Sequence, residues 1–308
     1  MPVTFPVPTI GLGAAPLGAT GADPFAVRTA ALAHDTVRHC LARDIRFFDT
    51  APLYGAGLSE SRLGDALADV PRRSIVLESK VGVVVDADGT LTRSYARDMV
   101  LRSVEDSLKR LRTDYLDMAL IHDADDHFRG ALEEAYPALA ELKAQGVVRA
   151  IGAGMNQWQM QAEFARSADF DCFLLAGRYT LLEQDPIGEY LPLCLAKNIS
   201  VFLGGVFNTG ILATGARPGA RYQYAEAPPH IMERVRRIEA VCARHGVALK
   251  SAALQFPLAH PAVKSLVLGM VSPQEIDDNL AAFRAPVPAA FWQELRAEQL
   301  IDERAPTP

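Results

Sequence analysis

The sequence predicts a closed (β/α)₈ barrel, the TIM-barrel class, and three observations carry that expectation. Eight short apolar runs recur along the 308 residues, most separated from the next by a segment of helical periodicity. Strands that alternate with helices pair in parallel, and eight such units in a chain of this length favour closure into a barrel. No linker, charge block or low-complexity run divides the chain, which reads as one domain spanning residues 1–308. A doubly wound open sheet is the alternative arrangement of the same units.

In order, Thr9 to Ala15 reads as a first short strand running into a glycine-rich turn closed by Gly18. The glycines do not have dinucleotide-fingerprint spacing, and no βαβ unit precedes them. Ala30 to Arg43 has helical spacing and leads into a strand over Ile45–Phe48, closed by Asp49; Glu60 to Leu67 is a helix. The alternation then becomes regular. Strands over Ser74–Lys80, Tyr115–His122 and Val148–Gly152 are followed by helices over Arg97–Leu111, Ala131–Gln145 and Gln157–Arg166. Cys172–Ala176 is a strand, Gly188–Lys197 a helix and Ser200–Leu203 a strand ending at Gly204-Gly205. Helices over Ile231–His245 and Leu249–Ala259 precede the last strand, Lys264–Gly269. Helices over Pro273–Phe283 and Ala289–Gln299 end the chain. The segment Gly204–Pro229 is long and rich in Gly, Ala and Pro, which marks a lid or binding segment; Gly82–Tyr95 is a shorter candidate.

Composition narrows the function. Apolar residues make up 49% and charged residues 22%, the profile of a globular protein with a substantial core. A net charge of −6 offers no basic surface to nucleic acid or anionic membrane. The opening Met1-Pro2-Val3-Thr4-Phe5-Pro6 has neither a basic nor an apolar leader region, and no uninterrupted apolar run is long enough to span a bilayer. The four cysteines, Cys40, Cys172, Cys194 and Cys242, form no metal or redox spacing, and a reducing cytoplasm is the expected location. No His-Glu-x-x-His pattern occurs among the seven histidines, so no metal is expected.

In a barrel of this class, the C-terminal strand ends surround one mouth. Adjacent ends carry Asp49 with Tyr54 on the following loop, then Lys80, then His122. Singly, each has an ordinary explanation: a turn cap, core packing, a strand-end charge reaching water, a satisfied buried histidine. Together they are a site for proton transfer. A lysine beside a phenol lowers its pKa, Asp49 would hold Lys80 in place and charged, and Tyr54 so tuned could exchange a proton near neutral pH. His122 could orient a substrate oxygen.

These residues, in their order and spacing, resemble the aldo-keto reductases over nearly the whole chain. The resemblance rests on Phe47-Phe48-Asp49-Thr50-Ala51-x-x-Tyr54-Gly55, Ser79-Lys80, Leu120-Ile121-His122, Ile151-Gly152-x-x-x-Asn156 and Leu268-Gly269-x-x-Ser272-Pro273-x-x-Ile276-x-x-Asn279. It implies a barrel that binds a nicotinamide dinucleotide without a Rossmann domain, with Tyr54 as general acid/base and Asp49, Lys80 and His122 as its partners. Asn156 would hold the nicotinamide carboxamide. Ser272 and Asn279 would lie at the adenosine end, where the Pro273 helix offers free N–H groups to phosphate. The motifs Gly205-Val206-Phe207 through Gly215 and Ile151 through Asn156 look most like those of the sugar and pyridoxal dehydrogenases, above all the D-threo-aldose 1-dehydrogenases acting on L-fucose and related sugars. They place Gly205 and Phe207, with Gly269, among the cofactor-lining positions.

The chain also departs from the family. A glutamine often found before the carboxamide pocket aligns with Ala176, and an aromatic that commonly stacks on the nicotinamide aligns with Gly204. Phe207 and Phe202 are nearby substitutes for that aromatic, with core packing the stronger reading for Phe202. Members that prefer the phosphorylated cofactor usually carry Arg or Lys where this chain has Glu275. A carboxylate repels a 2′-phosphate and can accept from a ribose 2′-hydroxyl, so NAD is expected over NADP. The alternative is that Glu275 serves only the helix dipole; the discriminating role is the preferred reading.

The expected activity is oxidation of an aldose at its anomeric hydroxyl to the lactone. Pyridoxal oxidation or small-aldehyde reduction stand as alternatives within the same chemistry. A cofactor-sensing subunit or a phosphate-handling isomerase would be alternatives outside it. The substrate contacts expected are Tyr54, His122 and Trp158, with His127 and Asn208 as further candidates; Trp158 could stack on a sugar ring or simply pack. The oligomeric state is left open.

Overall fold

The computed structural model describes residues 3–19 and 29–308; Met1 and Pro2 of the opening stretch lie outside them. Eight parallel strands close into a barrel: β1 (Ile10–Gly13), β2 (Phe47–Asp49), β3 (Val76–Val81), β4 (Leu116–His122), β5 (Val148–Met155), β6 (Cys172–Ala176), β7 (Ser200–Gly204) and β8 (Val263–Gly269). Each strand pairs with its sequence neighbours and β8 closes on β1, with Gly13 opposite both Gly269 and Asp49. The predicted closed barrel is therefore the observed fold, and the open sheet is excluded.

Two apolar clusters hold it together. The lumen is filled by Phe47, Val76, Met118, Leu120, Cys172 and Phe202, with Phe202 edge-on to Phe47 at 5.6 Å between centroids. The second cluster fills the space between the strands and their helices. Val3, Phe5 and Val7 pack against the lumen from the N-terminal ends of the strands. The lumen is thus packed, a core and not a pore.

Element boundaries moved where backbone chemistry intervened. The helix expected over Ala131–Gln145 begins earlier, at Phe128, and widens into a π-type stretch over Ala131–Ala135 before continuing as Tyr136–Ala144. Pro137 lacks the N–H that a regular turn would use there. Pro257 has a similar effect on the helix starting at Leu249, which tightens after Gln255 into a 3₁₀ turn. Strand β5 runs on through Gly152-Ala153-Gly154 to Met155 instead of ending there. A Cβ on Gly152 would lie 2.4 Å from Leu120 Cδ2 and 2.5 Å from the Cys172 carbonyl, so the glycine permits close strand approach.

Both segments singled out as loops contain a hairpin: Val83–Val85 with Leu91–Arg93, and Arg221–Tyr222 with Ala225–Glu226. The longer one also holds a helical turn, Ile211–Thr214.

Candidate active site

Asp49 is the last residue of β2, and the chain turns at once into the loop that carries Tyr54. That loop is anchored by backbone: Ala14 N–H donates to Asp49 O (2.7 Å), Tyr54 N–H to Ala51 O (3.1 Å) and Ser59 N–H to Tyr54 O (3.1 Å). It also touches the turn after β1 with no space to spare. A Cβ on Gly18 would lie 2.2 Å from Tyr54 O, and one on Gly55, whose φ is +66°, 2.0 Å from Gly18 O. Two glycines therefore fix the height of Tyr54 above the barrel.

Lys80, 2% exposed, comes from the next strand and points into the same space. Its ammonium pairs with Asp49 Oδ1 and donates to Thr50 O at 2.9 Å. It lies 5.1 Å from the centroid of the Tyr54 ring. His122 ends β4 and meets Tyr54 edge-on, with centroids 5.7 Å apart and ring planes at 90°. The four residues predicted to work together are thus assembled from three adjacent strands and the loop that follows the first of them.

Their electrostatics differ in one respect from the expectation. Burial pushes the Tyr54 phenol up to about 12, outweighing the opposing pull of Lys80, and Asp49 adds to the rise. The phenol is therefore a firmly protonated acid, contrary to the near-neutral group expected: the residue is only partly exposed and its hydroxyl faces inward to Lys80. Burial also works against the Lys80 ammonium, yet its ion pair with Asp49 leads the opposing contributions and its pKa is raised. His122 is held well below the ordinary imidazole range, by burial first and then by Lys80 and Arg93, so its ring is neutral and can donate from one nitrogen while accepting at the other. Its Nε2 lies 3.6 Å from Asp123 Oδ2.

Residues missed in the sequence hold His122 in place. The Tyr95 hydroxyl lies 2.7 Å from His122 O and 2.8 Å from Asp123 O and can donate to either, and Arg93 donates to Asp123 O at 3.0 Å. Both belong to the Gly82–Tyr95 segment, whose length was the signal. Glu78, buried in the lumen below Lys80, was also missed.

The cofactor candidates lie along the adjoining rim. Asn156, just past β5, lines a cavity of about 120 Å³ with Gly205, Arg178, Gln223 and Tyr224. Gly205 has φ +61° and turns the chain directly after β7. Phe207 is half-buried, packed on the core, with the Lys250 ammonium 5.9 Å from its ring centroid. Gly204 leaves its position without a side chain, and Tyr224 is the aromatic that shares the Asn156 cavity. Gly269 ends β8 against Pro16. Ser272 caps the Pro273–Arg284 helix by accepting from Glu275 N–H at 3.2 Å, while Glu275 Oε2 accepts from Val271 N–H at 2.9 Å. That is a capping arrangement. Asn279 on the same helix is 1% exposed, and neither end of its amide has a hydrogen-bond partner among the described residues. A buried amide without partners fits a group that hydrogen-bonds on arrival.

The substrate candidates separate. Trp158 lines a surface hollow with Phe128, Gln157, Met160, Glu163 and Glu189, and none of the tetrad lines it. His127 is exposed and stacks obliquely on Tyr95 at 5.3 Å. Asn208 is buried, accepting from Thr180 Oγ1 and donating to Gly177 O, and thereby ties the β6 and β7 loops together. A hollow of about 850 Å³ opens at the far end of the barrel around Phe5, Arg46, Tyr115, Asp117 and Arg149. Four of its charged residues are joined in the pairs Arg46–Asp44 and Arg149–Asp117.

The profile of the aldo/keto reductase family matches residues 9–299. The chain belongs to that family. It is 36% identical to pyridoxal 4-dehydrogenase of Microbacterium luteolum, with 96% of this chain and 95% of the relative covered. It is 35% identical to D-threo-aldose 1-dehydrogenase of a Pseudomonas species, covering 98% and 96%. Among solved structures, the holo form of an aldo-keto reductase from Bacillus halodurans superposes with a TM-score of 0.77 at 26% identity, over 96% of this chain and 93% of that one. The protein is accordingly an oxidoreductase of CH–OH or carbonyl groups, and its family uses nicotinamide cofactors.

Proposed function

We propose that this aldo-keto reductase is an NAD-dependent dehydrogenase that oxidises the anomeric C1 hydroxyl of an aldose, L-fucose or another D-threo-aldose, to the lactone. The observation that carries the chemistry is Lys80 held between Asp49 and Tyr54, with a neutral His122 facing the phenol. Tyr54 takes the hydroxyl proton, and His122 positions the same oxygen. Asp49 keeps Lys80 charged, and Lys80 favours the phenolate that must form. A bound nicotinamide supplies the hydride acceptor. In the reverse sense, the protonated Tyr54 donates to a carbonyl oxygen.

Asn156, Gly205, Phe207, Gly269, Ser272 and Asn279 would hold the cofactor, and the orphaned amide of Asn279 supports this. NAD is preferred over NADP because Glu275 stands where a 2′-phosphate would need a cation. Its engagement with Val271 N–H gives that carboxylate a capping role as well. The aldose reading takes its support from the 35% relative, and pyridoxal oxidation from the 36% one. We assign Trp158 no more than an outer contact. The whole chain would act as one barrel domain, in a cytoplasm that keeps its four buried thiols reduced.

The test is a panel of aldoses, pyridoxal and simple aldehydes assayed with both nicotinamides. Expected is highest kcat/KM for a D-threo-aldose with NAD. Activity confined to pyridoxal would move the protein to that reading.

A further inference from the structure

Glu78 takes no part in the chemistry above, yet it is placed to act on it. It lies on β3 two residues before Lys80, on the same inward face, with Asp49 of β2 and Met118 of β4 as its cross-strand partners. It is fully buried, and neither carboxyl oxygen has a regular hydrogen bond among the described residues. The titratable groups that face it are Asp49 from β2, Lys80 from its own strand and Cys172 from β6. The rest of the lumen is lined by apolar side chains except at Ser265 of β8, whose buried hydroxyl also lacks a partner among the described residues. An ionised carboxylate in that setting, beside a second one, is strongly disfavoured. Burial first, and then the Asp49 charge, hold Glu78 well above the usual carboxylate range, so it keeps its proton. Asp49 is the acceptor within reach of that proton.

We propose that Glu78 is a positioning residue of the catalytic site: as a neutral acid it donates a hydrogen bond to Asp49 from below. Part of the Asp49 charge is then satisfied from beneath, and more of the Lys80 field reaches Tyr54. This matters because Asp49 opposes Lys80 at the phenol. An ionised Glu78 would do the reverse, adding a negative charge under the pair. The idea rests on Tyr54 being the proton carrier, but its first measurement does not.

That measurement is infrared spectroscopy of the intact protein at neutral pH. Wild type should show the carbonyl stretch of a protonated carboxylic acid, and Glu78→Gln should lack it. Wild type without such a band overturns the proposal, whichever substrate the enzyme uses, so its failure is distinguishable from failure of the aldose reading. The second measurement compares Glu78→Gln, whose amide still donates to Asp49, with Glu78→Leu, which cannot. With L-fucose, or pyridoxal if the panel selects it, Glu78→Leu should lose about three- to tenfold in kcat at neutral pH, only a part of the worth of a hydrogen bond to a charged group because it reaches Tyr54 through Asp49 and Lys80. The alkaline rise of its kcat/KM should move to higher pH while the KM for cofactor holds. Glu78→Gln should restore both. Equal pH profiles in the two variants would make Glu78 a structural acid and end the proposal. If Glu78→Leu does not fold, the infrared band and a wild-type-like pH profile of Glu78→Gln decide: loss of the profile in Glu78→Gln overturns it, retention together with the band supports it.

Discussion

At the scale of single residues, the site turns on a phenol made a weaker acid by its surroundings. Deleting the hydroxyl with Tyr54→Phe keeps the ring against His122. Turnover should fall about 10²–10⁴-fold while cofactor still binds, measured by steady-state kinetics and cofactor fluorescence. Near-normal turnover with chemistry rate-limiting would remove Tyr54 from the mechanism. The sign of the pH dependence follows from the raised phenol. Carbonyl reduction needs the acid form, which is full at neutral pH and lost as pH climbs toward about 12. Alcohol oxidation needs the base form, so its kcat/KM should rise with pH through the alkaline range. Lys80→Met removes the group that opposes burial at Tyr54, so that rise should shift to still higher pH. His122, held neutral, should add no limb near the ordinary imidazole value of about 6.5.

At the scale of elements, two short pieces of backbone set function. The Tyr54 loop rests on Gly18 through contacts that admit no Cβ. Gly55→Ala would place a β-carbon in a left-handed conformation, costing about 1–2 kcal/mol before any clash, and would lift the loop off Gly18. We expect a lower melting temperature and roughly a 10- to 100-fold loss in kcat from misplacement of the phenol. A variant with the wild-type kcat would show that the loop height is not set there. The second element is the start of the Pro273–Arg284 helix. Glu275→Arg should raise the NADP/NAD ratio of kcat/KM but also deletes the contact with Val271 N–H, a capping loss of about 0.5–2 kcal/mol. Glu275→Gln keeps an acceptor for that N–H and removes only the charge. If neither substitution moves the cofactor ratio, Glu275 is a cap and nothing more.

At the scale of the molecule, the two ends of the barrel divide the labour. The rim at the strand C-termini carries Asp49, Lys80 and His122. The other end is stapled by buried acids: Asp117 binds Arg72 at 2.8 Å and Arg149 at 2.6 Å and accepts from Leu77 N–H at 3.0 Å. Asp117 and His122 belong to the same strand but lie on the order of 16 Å apart along it, at about 3.3 Å per residue. Asp117→Asn should therefore cost about 2–3 kcal/mol of stability, discounted because Arg149 reaches solvent, and leave kcat/KM unchanged at a temperature where the variant is folded. A parallel loss of activity would mean that the far end is coupled to the mouth.

Eight apolar runs of strand length separated by amphipathic segments were enough to specify the barrel, because burial periodicity is written locally in the chain. The order Asp49, Tyr54, Lys80, His122 was enough to bring these four side chains together, because parallel strands bring their C-terminal ends to one rim whatever the details between them. Other features depended on distances across the closed lumen. The phenol's acidity moved opposite to the expected direction because desolvation is a property of the packed site and outweighs the nearby ammonium. Glu78 reads as one more polar residue in strand β3 until register sets it against Asp49. Trp158 and Asn208 were both expected near a sugar; the structure seats Trp158 in a separate hollow, while Asn208 ties two loops together and lines the Asn156 cavity. Pro137 and Pro257 reshaped helices whose apolar spacing alone predicted regular turns. Sequence determined which groups face the mouth; closure of the barrel decided how buried, how charged and how near one another they are.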